Sequence, residues 1–235
     1  MAGRPGCCAV AIMAKAPRVG EVKTRLVPPL SPAEAAALGS CFIQDIASNI
    51  LAAARDAPIE GYVAYSPPGS EDVFAALLPA GVHLLRPRRV GLGDALFDAA
   101  EDLLAAGYGA ACLVNADSPT LPTAVLVEAA RLLAAPGDRL VLGPAADGGY
   151  YLIGLKQPHH RLFADIAWST ERVFRQTLER AGEIGLETIA LPGWYDVDDV
   201  DSLRQLMWEL RGIADRRGYA APHTAAFLRG LAVEL

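Results

Sequence analysis

Four cations sit close together near the start of the chain: Lys15, Arg18, Lys23 and Arg25, in the stretch Met13-Ala14-Lys15-Ala16-Pro17-Arg18-Val19-Gly20-Glu21-Val22-Lys23-Thr24-Arg25-Leu26. The stretch leaves an apolar run and turns around a Pro and a Gly. Backbone amides and several cations in one loop can grip a di- or triphosphate, because its oxygens accept charge-assisted hydrogen bonds from both. The spacing is neither GxxxxGKS/T nor GxGxxG, so the binding modes of those two motifs do not apply. A solvated surface loop is the plain competing reading. Lysine usage weighs against it: of 21 basic residues only Lys15, Lys23 and Lys156 are lysines, and two of them fall here.

Carboxylates follow further along. An apolar run at Ala110–Val114 leads into Asn115-Ala116-Asp117-Ser118-Pro119-Thr120-Leu121. An aspartate just past a strand suits Mg²⁺, which nucleotide sites hold through one or two carboxylates plus phosphate oxygens. Asp117 could equally start the turn before Pro119. Asp147-Gly148-Gly149-Tyr150 lies between two apolar runs. The paired glycines form a turn or let a ligand approach the backbone, with Asp147 able to accept from a hydroxyl. Trp194-Tyr195-Asp196-Val197-Asp198-Asp199-Val200-Asp201 gathers four acids before and at the start of a helical stretch. Asp198 suits the N-cap, and Asp199 and Asp201 suit the positive helix end. Asp196 or Asp198 could also complete a metal site with Asp117. Acids gathered in one crevice would repel one another without a cation.

These residues need elements to position them. Short apolar runs read as strands at Cys7–Ala14, Gly61–Ser66, Val82–Arg86, Ala110–Asn115, Arg139–Gly143, Tyr150–Gly154 and Thr188–Leu191. Helical periods lie between them: from Ser31 to about Arg55, then Ser70–Leu78, Gly93–Ala106, Pro122–Ala134, Ser169–Gly182 and Asp199–Arg211. Ser31-Pro32-Ala33-Glu34 has the form of a capping box with proline at the first helical position. Alternating strands and helices imply βαβ units in a mostly parallel sheet with helices on both faces. Ligands of such sheets bind outside the carboxyl ends of the strands, where these motifs fall. One domain over residues 7–211 is expected, with a helical extension over 212–235 whose partner is the domain itself or a second copy in a homodimer.

Composition bounds the remaining choices. The 235 residues carry a net charge of −6, which argues against a general binder of nucleic acid or anionic membrane. With 52% hydrophobic and 20% charged residues, the chain can build a sizeable core. Four irregularly spaced cysteines form neither a disulfide framework nor a CxxC metal site. The N-terminal apolar run is too short for a secretory signal, so a cytoplasmic protein is expected. His159 and His160 read as surface residues, Trp208 as core or interface, and Lys156 has no assigned role.

The motifs AKAPRVGEVKTRL, NADSPTL, DGGYYLIGL, WSTERVFRQT and WYDVDDVDSL, in this order, resemble the GT-A fold superfamily of nucleotide-sugar glycosyltransferases and sugar-type nucleotidyltransferases. More narrowly, the chain resembles a bacterial family of uncharacterised transferases once grouped as a domain of unknown function. The resemblance covers Cys7 to about Arg211. It implies a three-layer α/β/α, Rossmann-like nucleotide-diphospho-sugar transferase fold with a mostly parallel mixed sheet. It assigns Lys15, Lys23 and Arg25, with Arg18 beside them, to nucleotide phosphates. Asp117 and Asp198 are assigned to Mg²⁺ or Mn²⁺, with Asp196 as the alternative second ligand, and Gly148, Gly149 and Tyr150 to the acceptor. The glycine-rich LxAGxGxR start of many relatives is absent. Gly91–Leu96 only loosely matches a GDLGER segment, which leaves Asp94 as a nucleotide-facing residue without the Glu-Arg pair.

Metal-dependent nucleotidyl transfer from a nucleoside triphosphate to a phosphorylated or sugar acceptor is the leading expectation. Lys23 and Asp117 would be central to it, because the crowded cationic loop suits a triphosphate. Glycosyl transfer from a nucleotide sugar, with Asp147 as base, is the main alternative. A nucleotide-binding regulatory domain without turnover is the third.

Overall fold

The computed structural model describes residues 4–86, 88–89, 91–212 and 218–231. In chain order the elements are β1 (Cys8–Lys15), α1 (Pro32–Ala53), β2 (Ile59–Ser66), α2 (Glu71–Leu77), β3 (Val82–Leu85), α3 (Leu92–Ala105) and β4 (Ala110–Asn115). There follow α4 (Thr123–Ala134), β5 (Arg139–Pro144), β6 (Tyr150–Leu155), α5 (Val173–Glu183), β7 (Glu187–Ala190), α6 (Val200–Leu210) and α7 (Pro222–Gly230).

The seven strands form one sheet in the order β3-β2-β1-β4-β6-β5-β7. All neighbours run parallel except β6, which is antiparallel to both β4 and β5. The connection from β5 to β6 explains this. It spans only Ala145–Gly149, whereas a parallel crossover needs a dozen or more residues. β1 reads as an unbroken apolar run because both of its faces are covered. Val10, Ile12 and Ala14 enter the core beneath α1 and α4, and Ala9 and Ala11 enter the core beneath α3. The result is the expected three-layer arrangement.

α1 starts where its sequence dictates. The Ser31 hydroxyl accepts from the Glu34 amide at 3.2 Å, and Glu34 accepts from the Ser31 amide at 2.7 Å. α1 is long and apolar enough to cross a membrane, but here it is a core helix: Ile43, Ile46 and Ile50 pack on the sheet. Its outer face, with Leu38 and Phe42, meets Leu26, Val197, Leu203 and Leu228 in a third cluster that joins α6 and α7. α7 is fastened to α1 by Asp45, a fully buried carboxylate that accepts from the amides of His223 at 3.0 Å and Thr224 at 2.8 Å. It thus caps a helix 178 residues away in the chain.

Three local expectations are revised. Asp199, not Asp198, is the N-cap of α6 and forms a capping box with Ser202, which leaves the Asp198 side chain free for the crevice. α5 begins at Val173 rather than at Ser169. Ser169 is left-handed (φ 63°), and the Thr170 hydroxyl donates to the Ala167 carbonyl, so the segment turns before the helix starts. Trp208 is 53% exposed and so is not a core residue. Lys156 gains a role, because its ammonium donates to the carbonyls of Ala135 and Gly137 and closes the C-terminal end of α4. The expected extension of the last helix to Leu235 falls, after Leu231, outside the described residues.

Candidate nucleotide site at the β1–β4 switch point

The chain moves outward from β1 through β2 to β3, then returns to place β4 on the other side of β1. The crevice between the carboxyl ends of β1 and β4 is therefore the topological switch point, where such sheets bind ligands. Lys15 ends β1, and Asp117 follows β4 by two residues. The segment Gly193–Asp198 is laid across this edge by backbone hydrogen bonds. Trp194 N–H donates to Pro144 O at 3.1 Å, Ala146 N–H to Trp194 O at 3.0 Å, and Val197 N–H to Asp117 O at 2.9 Å. These bonds bring Asp196 and Asp198 to Asp117.

Lys23 closes the group. Its backbone is left-handed (φ 51°, ψ 34°) ahead of a 3-10 turn at Thr24–Leu26, and Leu26 is buried in the third cluster. The ammonium donates to Asp117 Oδ1 at 2.5 Å, Val197 O at 2.7 Å and Asp198 Oδ1 at 2.9 Å, with the Phe42 ring centroid 5.2 Å away. Only 7% of the side chain is exposed. Burial works to lower its pKa, but the charges of Asp117 and Asp198 and their hydrogen bonds outweigh it, and the net shift is upward. Arg25 adds a bond to Asp198 Oδ2 at 3.0 Å while staying largely exposed. Asp198 is half-buried, which alone would raise its pKa. Lys23 and Arg25 reverse that and hold it below the ordinary range. Asp196 has no such partner among the described residues. Burial, then the charges of Asp147, Asp198 and Asp117, push its pKa up to about 6.

Two large clefts flank this cluster, with Met13 lining both. The first, about 610 Å³, lies over the ends of β1, β2 and β3 and is walled by Lys15, Tyr65, Arg86, Arg88, Arg89 and Leu92. Arg88 and Arg89 are anchored by acids of α3. Asp98, 3% exposed, takes both Arg89 Nε bonds at 3.0 Å, and Arg88 reaches Glu101 at 2.6 Å. Asp94 pairs with Arg89 at 3.0 Å on the exposed first turn of α3. The second cleft, about 590 Å³, is acidic and is walled by Asp117, Asp147, Asp196, Asp198, Tyr150 and Trp168. The buried Tyr150 hydroxyl has no partner among the described residues.

The Asp147–Tyr150 turn has a steric logic. Asp147 Oδ1 accepts from the Gly149 amide at 2.8 Å, which leaves its other oxygen for the cleft. Gly148 has φ +88°, and a Cβ there would lie 2.4 Å from the Glu171 carbonyl oxygen. The turn thereby seats the Trp168–Glu171 lip. Gly93 is equally constrained, since a Cβ there would meet Trp168 Nε1 at 2.5 Å.

Lys15, Lys23, Arg25, Asp117, Asp147, Asp198, Gly149 and Tyr150 therefore all line the clefts around the switch point. Arg18 turns away and donates to the Ser70 hydroxyl at 3.2 Å. Gly148 supports the lip from behind. Sequence reasoning passed over the arginines at 86, 88 and 89, although the strand-end rule and three arginines in four residues marked them. It also missed the Val197 carbonyl and Phe42, whose parts depend on tertiary contact alone.

Asp117, Asp198 and the Val197 carbonyl offer the all-oxygen donor chemistry that Mg²⁺ or Mn²⁺ takes. Among the described residues no group of three or more His, Cys, Asp or Glu side chains is arranged to hold a metal ion. In this structure the Lys23 ammonium occupies these oxygens.

Architecture and crevice define a nucleotide-diphospho-sugar transferase or nucleotidyltransferase α/β fold. A protein from Desulfovibrio desulfuricans described as a candidate nucleotide-diphospho-sugar transferase is 28% identical, with a TM-score of 0.81 over 96% of this chain and 95% of that one. A CMP:2-keto-3-deoxy-manno-octonic acid synthetase solved with CTP matches with a TM-score of 0.54 at 14% identity, over 85% of this chain and 96% of that one. A cytidylyltransferase from Leptospira borgpetersenii matches at 0.57 and 11%, over 97% of this chain and 99% of that one. These last two identities speak for the fold alone. Residues 49–170 match the model of the family described as "Uncharacterized protein conserved in bacteria (DUF2064)", and the chain belongs to that family. A search of curated proteins found no match.

Proposed function

We propose that this chain is a transferase that takes a group from a nucleotide donor and passes it to a hydroxyl-bearing small molecule, with Mg²⁺ or Mn²⁺ at Asp117 and Asp198. The observation that carries this reading is the joint between the two clefts, where Arg25 pairs with Asp198 and Lys15 lines the same wall as Asp117 and Asp198 at the switch point. A nucleoside would occupy the mainly apolar cleft over β2 and β3, with its phosphates toward Lys15 and Arg25. These cations would hold the phosphate oxygens as negative charge grows on the leaving group. When bound, the divalent cation supplies further compensation of that charge.

Glycosyl transfer from a nucleoside diphosphate sugar is the favoured chemistry. The acceptor oxygen bonds to the anomeric carbon, the bond from that carbon to the phosphate oxygen breaks, and the nucleoside diphosphate departs. Asp147, exposed in the acidic cleft, would take the hydroxyl proton. Three observations support this. The relative at 28% identity is described as a candidate nucleotide-diphospho-sugar transferase. With Arg18 held on the Ser70 hydroxyl, the loop offers the clefts fewer cations than its sequence carries, a complement suited to a diphosphate. The acidic cleft pairs hydroxyl acceptors with the aromatic walls Trp168 and Tyr150, which suits a sugar ring. Nucleotidyl transfer from a triphosphate, with pyrophosphate leaving, is the second reading, favoured by the extra cations Arg86, Arg88 and Arg89 in the donor cleft.

The test is a turnover screen of nucleotide sugars and nucleoside triphosphates with Mg²⁺, following release of diphosphate or pyrophosphate. Diphosphate release is expected. Pyrophosphate release selects the second reading. Nucleotide binding with neither product would indicate a regulatory domain.

A further inference from the structure

An ammonium group has three N–H donors. In Lys23 all three are taken, by Asp117 Oδ1, Val197 O and Asp198 Oδ1. Nothing is left for a phosphate, although the loop around it is the phosphate-facing one. The same three oxygens are hard donors of the kind a divalent cation seeks. Lys23 and Arg25 together face Asp117, Asp147, Asp196 and Asp198, so the wall stays negative even with both cations in place. The Lys23 backbone is in the left-handed region without a side-chain cap, a conformation that a lysine adopts at a cost. Beside the ammonium a separate cleft of about 260 Å³, lined by Lys15, Glu21 and Val22, gives the side chain room to turn.

We propose that Lys23 is a built-in counter-ion that keeps a free divalent cation off Asp117 and Asp198. It yields its seat only when the cation arrives with a nucleotide's phosphates, which then accept from the displaced ammonium. The ordering follows from charge and desolvation. A free cation that evicts Lys23 takes all three of its acceptors and leaves it only the cleft beside Glu21, a carboxylate already paired with Lys15. A cation carrying phosphate supplies the replacement acceptors in the same step. Cation and nucleotide therefore bind cooperatively, each raising the other's affinity. The idea rests on the reading of Asp117 and Asp198 as the cation's carboxylates.

Mn²⁺ alone is the probe, titrated against the whole chain without nucleotide and followed by electron paramagnetic resonance of the free ion. Lys23→Met keeps the apolar stem on Phe42 and removes the charge. It is expected to bind Mn²⁺ at least tenfold more tightly than the wild type, and Lys23→Met with Asp198→Asn is expected to lose the gain. Equal affinity in wild type and Lys23→Met, or a gain that survives Asp198→Asn, overturns the proposal.

The wild type offers a second measurement that does not depend on a variant folding. With only three lysines, side-chain ¹⁵N-lysine spectra resolve each ammonium. The Lys23 signal should be unmoved by Mg²⁺ alone and shift with Mg²⁺ plus a mixture of nucleoside diphosphates. A shift with Mg²⁺ alone overturns the proposal. If no nucleotide binds at all, the functional reading fails, while the Mn²⁺ titration still decides the role of Lys23.

Discussion

Replacing Asp196 with asparagine should make the protein more stable at neutral pH and change it little in acid. The folded chain holds Asp196 near pKa 6 because the group is half-buried and faces Asp147, Asp198 and Asp117. An unfolded aspartate titrates near about 3.9. Between those values the folded state keeps a proton that the unfolded state has released, so stability falls as pH rises and the loss is complete above about pH 7. At about 1.4 kcal/mol per pH unit the shift alone would cost roughly 3 kcal/mol, and solvent screening of this half-buried group reduces that to about 2 kcal/mol. Asp196→Asn preserves shape and never ionises. It should recover about 2 kcal/mol at pH 7.5 after some hydrogen-bond rearrangement, and less than about 1 kcal/mol at pH 4.5. For a chain of this size, ~2 kcal/mol corresponds to a rise in Tm of about 4–8 °C. Thermal unfolding of both proteins in EDTA at pH 4.5, 6 and 7.5 measures it. A Tm difference that does not vary with pH, or a less stable variant at pH 7.5, refutes the electrostatic crowding on which the acidic cleft depends.

Other perturbations probe the supporting structure. Asp45→Ala leaves the buried Thr224 amide and the part-buried His223 amide without acceptors and should cost about 2 kcal/mol by thermal or denaturant unfolding, with Asp45→Asn costing less. Stability unchanged by Asp45→Ala would mean that α7 is held without its cap. Gly148→Ala forces a Cβ against the Glu171 carbonyl at a positive φ and should cost about 3 kcal/mol, again read by unfolding. A fully stable Gly148→Ala contradicts the placement of the lip. Arg25→Ala, at a largely exposed residue, should weaken donor binding roughly tenfold with little change in Tm. An unchanged donor KM would remove Arg25 from the phosphate site.

Much of this architecture is written locally in the chain. Short apolar runs mark all seven strands to within a few residues, the edge strands β3 and β7 being only partly buried, and the Ser31–Glu34 box marks the start of α1. The strand-end rule led to Lys15, Asp117 and Asp147 because a parallel sheet presents its carboxyl ends to ligand whatever the chemistry. What stayed hidden depends on distant pairings. Lys23 and Asp198 are 175 residues apart, and nothing in either neighbourhood indicates that the lysine seats itself on the carboxylates. The repulsion expected among the acids is answered by the very residue assigned to phosphate. The N-cap of α6 slipped by one residue because Asp198 and Asp199 are adjacent candidates, and it is the Asp199 carboxylate that accepts from the Ser202 amide. Lys156 had no visible task, since the open end of α4 that it closes is 19 to 21 residues earlier in the chain.

The central claim is that Asp117 and Asp198, at the switch point, hold a divalent cation together with a nucleotide's phosphates. Calorimetric titration of the wild type and Asp117→Asn with nucleoside diphosphates, with and without Mg²⁺, tests it most directly. The expected result is binding that requires Mg²⁺ in the wild type and loses that requirement, with most of its affinity, in Asp117→Asn while the Tm of the free protein stays within a few degrees. Binding that is indifferent to both Mg²⁺ and Asp117, or no binding of any nucleoside diphosphate, would contradict it.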